Sequence, residues 1–190
     1  MTVLRTERLI LRNWQEQDRP FFHRLNSDDA IMEFFAVRRD RAASDEVMDT
    51  VSAYIAENGF GFMAAELVAT GECIGFIGIN RTKIEPFVPR GTLEIGWRLA
   101  PEYWGKGYAT EGAKAFLDYA FETLGEEEVV SFAVWNNARS TSVMERLGME
   151  HVEDGFFDHP SVPDSHPHLK RHALYRLTRA TWLARRQKDA

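Results

Sequence analysis

Residues 92–112, TLEIGWRLAPEYWGKGYATEG, combine a strand pattern, a glycine turn and a helical pattern without interruption. The first part alternates strictly, so that Glu94, Gly96 and Arg98 face one way. From Tyr108 onward, small and apolar residues recur at spacings of three and four, which is typical of a helix. The segment therefore predicts a strand, a tight turn and a helix. The apolar face of the strand consists of Leu93, Ile95, Trp97 and Leu99.

The turn between strand and helix contains two glycines, Gly105 and Gly107. Glycine lets the backbone bend sharply and come close to a ligand, and the first amides of a helix favour an anion such as phosphate. A Walker A loop is excluded because Lys106 is followed by Gly107 rather than by Ser or Thr. The dinucleotide fingerprint would need glycine where Thr110 stands. The turn alone predicts either an anion site or a purely structural bend.

The rest of the chain mixes strands and helices. The pattern RLILRNW predicts a strand, Pro20 lies near the start of a helix, and Ser44 is predicted to cap a second helix that ends at Gly59. Two apolar runs around residues 69–72 predict an antiparallel hairpin. After the glycine turn and its helix come the strand VVSFAVW, a helix near residues 139–147, a loop rich in Pro and His, and a final strand.

This order predicts an α+β or mixed α/β fold, with a mixed, mostly antiparallel central sheet flanked by helices. Residues 1–190 are expected to form a single domain, with a solvated C-terminal tail from about residue 180.

Composition excludes several classes of protein. A net charge of -6 argues against a nucleic-acid-binding surface. The single cysteine, Cys73, excludes an internal disulfide and lies in an apolar run, where a packing role is predicted. No apolar stretch approaches the length of about 20 residues that crosses a bilayer, and MTVLRTERL lacks the apolar core of a signal peptide. A cytoplasmic protein without membrane or nucleic-acid partners is predicted.

Four ordered segments resemble the GNAT acetyltransferase superfamily, and within it the branch of the ribosomal-protein N-terminal (alanine/serine) acetyltransferases. They are TERLILRNW, the hairpin ending in IGFIGI, LEIGWRLAPEYWGKGYATEG, and NNARSTSVMERLGME. The resemblance implies that a Q/R-x-x-G-x-G/A turn binds the pyrophosphate of CoA through backbone amides. The chain departs from this pattern at the first position, which is Glu102.

The same resemblance implies the other cofactor contacts. Residues 97–99 would border the pantetheine and acetyl group, and Asn137 with Ser140 would match an N-x-x-S element beside the pantetheine arm and thiol. The predicted acetyl-CoA-binding residues are Trp97, Arg98, Leu99, Gly105, Lys106, Gly107, Tyr108, Ala109, Thr110, Asn137 and Ser140.

Two residues are candidates for acid and base catalysis. Glu94 is the candidate base, because it lies on the alternating strand beside the small Gly96; the alternative is a structural ion pair with Arg98. Ser140 is the candidate acid toward the departing thiolate by resemblance; the alternative is a role in capping the helix that starts there.

Four histidines cluster late in the sequence together with Asp158 and Asp164. Their spacing matches no standard zinc pattern, so no metal site is predicted. A loop that shapes the acceptor pocket is expected instead, with a contribution from His159 or His172. The other two histidines are His166 and His168.

The predicted function is transfer of acetyl from acetyl-CoA, as co-substrate, to a primary amine by direct attack in a ternary complex. A protein N-terminal α-amine and a small amine are both open as acceptors. The alternative is a non-catalytic module that binds acyl-CoA or has a regulatory role. The sequence does not determine the oligomeric state, for which a homodimer is one option.

Overall fold

The computed structural model describes residues 3–189. Its strands are β1 (Leu4–Arg5), β2 (Leu9–Arg12), β3 (Phe62–Leu67), β4 (Cys73–Arg81), β5 (Leu93–Leu99), β6 (Glu128–Val134), β7 (Glu150–Asp158) and β8 (Arg171–Thr178). Its α-helices are α1 (Arg19–Ser27), α2 (Arg41–Asn58), α3 (Tyr108–Asp118), α4 (Ala138–Arg146), α5 (Pro167–Lys170) and α6 (Arg179–Asp189). These elements confirm the predicted α+β class with a mixed sheet.

The chain divides into two compact units, and the single-domain interpretation stays a prediction. The first unit contains the residues up to Asn80 together with Gly96–Phe116. The second contains Arg81–Ile95 and the chain from Leu117 onward.

In the first unit, β1, β2, β3 and β4 pair antiparallel in that order, which confirms the predicted hairpin of β3 and β4. Helix α3 packs closely on this sheet, because a Cβ on Gly112 would lie 2.5 Å from the Ile77 side chain. The fully buried Leu9 is also in contact range of that position. A glycine at 112 thus sets how closely the N-terminal half of α3 approaches the sheet.

A buried ionic network holds the start of α1 against the same sheet. The Arg12 guanidinium donates from Nη1 to Asp18 at 2.6 Å and from Nε to Glu66 at 2.6 Å. Asp18 also accepts from the Gln15 amide at 2.8 Å, so its carboxylate orders the turn that precedes α1. Because each buried charge has charged and hydrogen-bonding partners, the network anchors β2 to β3 and to α1.

In the second unit, β5 and β6 run parallel with Leu93 opposite Val129 and Glu94 opposite Val130. Strand β8 pairs antiparallel with both β6 and β7. One face of these strands carries an apolar cluster, and the loop before β5 contributes to it. The cluster consists of Ile84, Val88, Val130, Phe157 and Leu174.

The structure differs from the sequence predictions at α2, whose predicted start was wrong, and at β7, which was not predicted. Helix α2 begins at Arg41 rather than at Ser44, because the Asp40 carboxylate caps it by accepting from the Ala43 amide at 2.9 Å. Ser44 is instead fully buried inside the helix. Strand β7 was not predicted, because most of its residues are exposed and only Phe157 among them is buried, so its sequence lacks apolar alternation.

The predicted solvated tail needs a correction at Trp182. The segment forms α6, and the Trp182 ring is buried with Nε1 donating to the Asp118 carboxylate at 3.0 Å. Arg186 also pairs with Asp118 at 3.0 Å, so two side chains hold α6 to the end of α3. Across the described part of the chain, no helix has the length and apolar content that crossing a membrane requires.

Candidate active site

The predicted strand, turn and helix follow one another as β5, a short 3-10 turn at Pro101–Tyr103, and α3, and Gly96–Phe116 of this segment lie in the first unit. Gly105 and Gly107 have φ angles of +71° and +83°, which side chains other than glycine rarely adopt. A Cβ on Gly105 would meet nothing within 4 Å, so the backbone there is open to a ligand. The indole Nε1 of Trp104 donates to the Leu99 carbonyl at 2.7 Å and closes the turn against the strand end.

Arg8, directly before β2, contacts the glycine turn. This contact was not identified from the sequence. Arg8 Nη1 donates to the Lys106 carbonyl at 3.0 Å, and its guanidinium lies 4.5 Å from the centre of the Tyr108 ring. Its Nε pairs with Glu111 of α3 at 2.6 Å. Burial opposes ionisation of Glu111, but hydrogen bonds from Thr6 and Arg8 outweigh it and lower its pKa. The first turn of α3 is therefore held by a fixed ion pair.

Glu102 stands where the family pattern has Gln or Arg, and the structure shows how its charge is balanced. Arg24 of α1 donates two hydrogen bonds to the Glu102 carboxylate, Nη1 to Oε1 at 2.5 Å and Nη2 to Oε2 at 3.0 Å. The hydrogen bond from Arg24 lowers the pKa of Glu102. Because its charge is neutralised, the departure at 102 does not set an unpaired carboxylate against an anion at the turn.

The predicted pantetheine-bordering residues, 97–99, form the end of β5. Leu99 is buried and Trp97 is half-buried. The strand lies very close to β4, because a Cβ on Gly75 would be 2.2 Å from the Arg98 carbonyl oxygen. The Arg98 side chain donates from Nη1 to the Asn26 side-chain oxygen at 3.0 Å. Trp97, Arg98 and Leu99 are the last residues of β5 and precede the glycine turn along the chain.

Glu94 lies in the second unit, on β5 beside the fully buried Val130. Its side chain is half-buried, and desolvation raises its pKa from 4.5 to about 7. No hydrogen bond or ion pair to this carboxylate occurs among residues 3–189. Arg98, which the alternative interpretation pairs with Glu94, instead donates to the Leu25 carbonyl and to Asn26. A carboxyl group with a pKa near 7 and no internal partner suits proton transfer at neutral pH.

Asn137 and Ser140 meet at the start of α4 in the second unit. The Asn137 side-chain oxygen accepts from the Ser140 amide at 3.2 Å, which makes Asn137 the N-cap. The alternative role for Ser140, capping with its own hydroxyl, is therefore filled by Asn137. The Ser140 hydroxyl is half-buried and has no hydrogen-bond partner within the described chain, so it is free to contact a ligand.

Replacing the cap tests this local geometry. Asn137→Ala is expected to lower the free energy of unfolding by about 1 kcal/mol, because the Ser140 amide loses its side-chain acceptor and keeps only the Asn137 backbone carbonyl. Urea unfolding followed by circular dichroism measures the change. Asn136→Ala is the matched control, since Asn136 is exposed and precedes the cap. An equal effect of the two changes would contradict the capping role.

The structure brings together two of the four late histidines. The rings of His159 and His172 lie 4.8 Å apart, with Phe132 and Phe157 packed against both. Burial, together with the neighbouring His172, lowers the pKa of His159 to about 4, and burial also lowers that of His172. Both rings are therefore neutral at pH 7 and behave as part of an aromatic cluster. Among the described residues, no three His, Cys, Asp or Glu side chains gather as a metal site.

Comparison with known proteins identifies the family of this chain. Residues 8–150 match a family model described as acetyltransferase (GNAT) domain. The chain belongs to the GNAT acetyltransferase family. The matched region of this GNAT protein includes β5, the glycine turn, α3 and the Asn137 to Ser140 element.

Relatives and solved structures agree with this assignment. The GNAT protein is 32% identical over 189 residues to FsC-acetyl coenzyme A-N(2)-transacetylase of Aspergillus fumigatus, covering 95% of this chain and 78% of that protein. An acetyltransferase structure from Agrobacterium tumefaciens is 33% identical with a TM-score of 0.73, covering 93% of this chain and 94% of the other. Spermidine N-acetyltransferase of Vibrio cholerae, in complex with CoA and spermine, shares the fold at 21% identity, a TM-score of 0.72 and coverage of 94% and 99%. The superfamily resemblance is confirmed.

Proposed function

We propose that this GNAT protein transfers an acetyl group from acetyl-CoA to a primary amine by direct attack in a ternary complex. The observation that carries the proposal is the turn at Gly105 and Gly107, whose positive φ angles present backbone to an anion at the start of α3. The open space at Gly105 fits a pyrophosphate, and the ammonium of Lys106, 5.7 Å from the Tyr103 ring, adds positive charge.

The residues that would bind acetyl-CoA lie in three segments of the chain, 97–99, 105–110 and 137–140. Backbone amides from Gly105 to Thr110 would bind the pyrophosphate, and the main chain of Trp97, Arg98 and Leu99 would pair with the pantetheine amides like an added strand. Asn137 and Ser140 would lie beside the pantetheine arm and thiol. The bound acetyl-CoA supplies an acyl group activated as a thioester.

Glu94 would accept the proton of the attacking amine, directly or through water. At pH 7, deprotonating an α-amine costs roughly 1 kcal/mol, whereas deprotonating a lysine side chain costs nearer 5. With a pKa of about 7, Glu94 is partly ionised at neutral pH and is matched to this transfer. A protein N-terminus and a small amine both remain acceptors within this proposal, and we propose a cytoplasmic site of action.

An acceptor screen tests the proposal. Purified protein with acetyl-CoA is incubated with N-terminal peptides, amino acids and polyamines, and release of free CoA thiol is followed with a thiol reagent. We expect acceptor-dependent thiol release above the rate of acetyl-CoA alone. Tight CoA binding without turnover on any acceptor would favour a non-catalytic CoA-binding module.

Ser140 would donate a proton to the departing thiolate. Since a thiol has a pKa of about 8.5 and leaves readily, Ser140→Ala is expected to lower kcat by only about tenfold, with KM for acetyl-CoA unchanged. Thr141→Ala, which removes the neighbouring half-buried hydroxyl of α4, is the control and should match the wild type. Equal kcat values for all three proteins would remove Ser140 from the chemistry.

A further inference from the structure

Arg98 is held in a fixed position in the first unit. Its Nη1 donates to the Asn26 side-chain oxygen at 3.0 Å and to the Leu25 carbonyl at 3.3 Å, both on α1. The guanidinium lies 4.0 Å from the centre of the Phe35 ring and 5.2 Å from that of Phe76. Hydrogen bonds on one side and aromatic rings around the plane therefore leave the guanidinium little freedom to turn.

The other edge of the Arg98 guanidinium has no partner. Its Nε is buried and makes no hydrogen bond, and no acceptor for Nη2 occurs among residues 3–187. No carboxylate in that range lies within ion-pair distance of Arg98. Burial, with Arg39 as a second cause, lowers the pKa of Arg98 to about 10, so the side chain is still a cation at neutral pH. A buried cation with a vacant pair of donors is costly unless an anion completes it.

A second arginine, Arg39, lies close enough to Arg98 that its charge is one cause of the lowered Arg98 pKa. Arg39 follows α1 and its backbone amide donates to the Asn26 carbonyl at 2.9 Å, so the residue that holds Arg98 also positions Arg39. The Arg39 side chain is half-buried and has no ion-pair partner within the described chain. The neighbouring Arg38, by contrast, pairs with Asp29 at 3.1 Å. Two arginines without carboxylate partners, Arg98 on β5 and Arg39 just before α2, are therefore both held by Asn26 of α1.

We propose that the Nε and Nη2 edge of Arg98, with Arg39 beside it, binds a carboxylate of the acceptor. Parallel N–H donors on an arginine edge match the two oxygens of a carboxylate, which gives orientation as well as charge. The acceptor is then an amine that also carries an acid, such as an amino acid or a short peptide with a free C-terminus. A polyamine is disfavoured, because its ammonium groups would be repelled by both arginines.

Naming the acceptor rests on the proposed acetyltransfer, whereas the carboxylate site itself does not. The first experiment therefore compares matched acceptors. Each pair keeps the amine and replaces the acid: 5-aminovalerate against 1,5-diaminopentane, and alanyl-alanine against its C-terminal amide. We expect kcat/KM to be at least tenfold higher for the acid of each pair, with the difference in KM, because the site binds without entering the chemistry.

Variants connect this preference to the two arginines. Arg98→Gln should abolish the preference for the acid, and Arg39→Gln should weaken it without removing any hydrogen bond that holds Arg98. Arg41→Gln is the control, since Arg41 is an exposed residue at the start of α2 whose loss changes the net charge equally. Equal kcat/KM for acid and amide in the wild type, or a preference that survives both Arg98→Gln and Arg39→Gln, would overturn the proposal.

The second experiment measures the site without turnover. Glutarate, a dicarboxylate with no amine, is titrated by calorimetry into protein saturated with CoA, so that the glycine turn is already occupied. We expect weak binding that is lost in Arg98→Gln, reduced in Arg39→Gln and kept in Arg41→Gln. Arginine-dependent glutarate binding without acetyl transfer would refute the proposed function alone. Acetyl transfer without glutarate binding or acid preference would refute the carboxylate site alone.

Discussion

Replacing Glu94 by Gln is expected to lower kcat by about 100-fold while leaving the Kd for CoA unchanged. The loss reflects removal of the proposed base for the attacking amine, a contribution that is commonly 100-fold or more. Gln has nearly the same shape, so β5 and its pairing with β6 are retained. Steady-state kinetics with the best acceptor of the screen, together with calorimetry for CoA, measures the two quantities.

The pH profile provides the internal control for this variant. The base must be ionised, and burial raises the pKa of Glu94 to about 7, so wild-type kcat should rise through pH 7 and level off above it. The Glu94→Gln protein should lack that inflection. An unchanged kcat in the variant, or an inflection that persists in it, would assign Glu94 a structural role only.

The same substitution is expected to stabilise the protein at alkaline pH. A carboxyl group whose pKa is raised from 4.5 to about 7 in the folded state binds a proton more tightly when folded than when unfolded. Stability is therefore lost as pH rises from about 4.5 to about 7, and ionised Glu94 destabilises the fold above that. Glu94→Gln should raise the free energy of unfolding by roughly 1 to 3 kcal/mol at pH 8 and by little at pH 4. Lower activity with higher stability would identify a residue kept for catalysis.

Gly107→Asp is expected to raise the Kd for CoA by roughly 5- to 1,000-fold. The new carboxylate would lie where the pyrophosphate is proposed to bind, and like charges at about 4 Å repel by roughly 1 to 4 kcal/mol depending on solvent exposure. A Cβ at 107 would also lie 3.4 Å from Arg8 Nη2, so the new carboxylate would compete with Glu111 and the Lys106 carbonyl for the Arg8 guanidinium. Calorimetry with CoA measures the loss.

Two variants separate charge from backbone strain. Gly71→Asp adds the same charge at a similar φ of +71°, in the β3–β4 hairpin where a Cβ would meet nothing within 4 Å, and should bind CoA like the wild type. Gly107→Asn keeps the size of Asp without its charge and should bind with intermediate affinity. CoA affinity that is unchanged in Gly107→Asp would refute the placement of the pyrophosphate at this turn.

The sequence predicted elements wherever a local pattern was strong. Strand β5 alternates strictly, and its bounds Leu93–Leu99 match the predicted segment. The helix after Gly107 and the hairpin of β3 and β4 were likewise recognised from period and turn residues. Strand β7 was not predicted, because four of its nine residues are charged and its apolar residues do not alternate along it. Its pairing with β8 also joins residues that are far from β7's own neighbours in the sequence.

The residues of the candidate site likewise divide into those that the sequence indicated and those that it did not. Gly105 and Gly107 were identified as candidates from the pattern of the glycine turn, and the Asn137 to Ser140 element was identified as a candidate from the GNAT resemblance. Arg8 and Arg24 were missed, since nothing in a short basic run shows that its side chains reach the glycine turn or Glu102 from distant elements.

By itself, the sequence determined most of the order of elements, the glycine turn and the GNAT resemblance, all of which depend on residues close together in the chain. Only the tertiary structure decided the state of the charges. Glu94 acquires a pKa of about 7 because folding removes water from its carboxyl group, and Arg98 keeps a free donor edge because α1 occupies only Nη1. Burial and partner choice arise from contacts between segments far apart in sequence, and these contacts set the protonation and pairing on which the proposed chemistry rests.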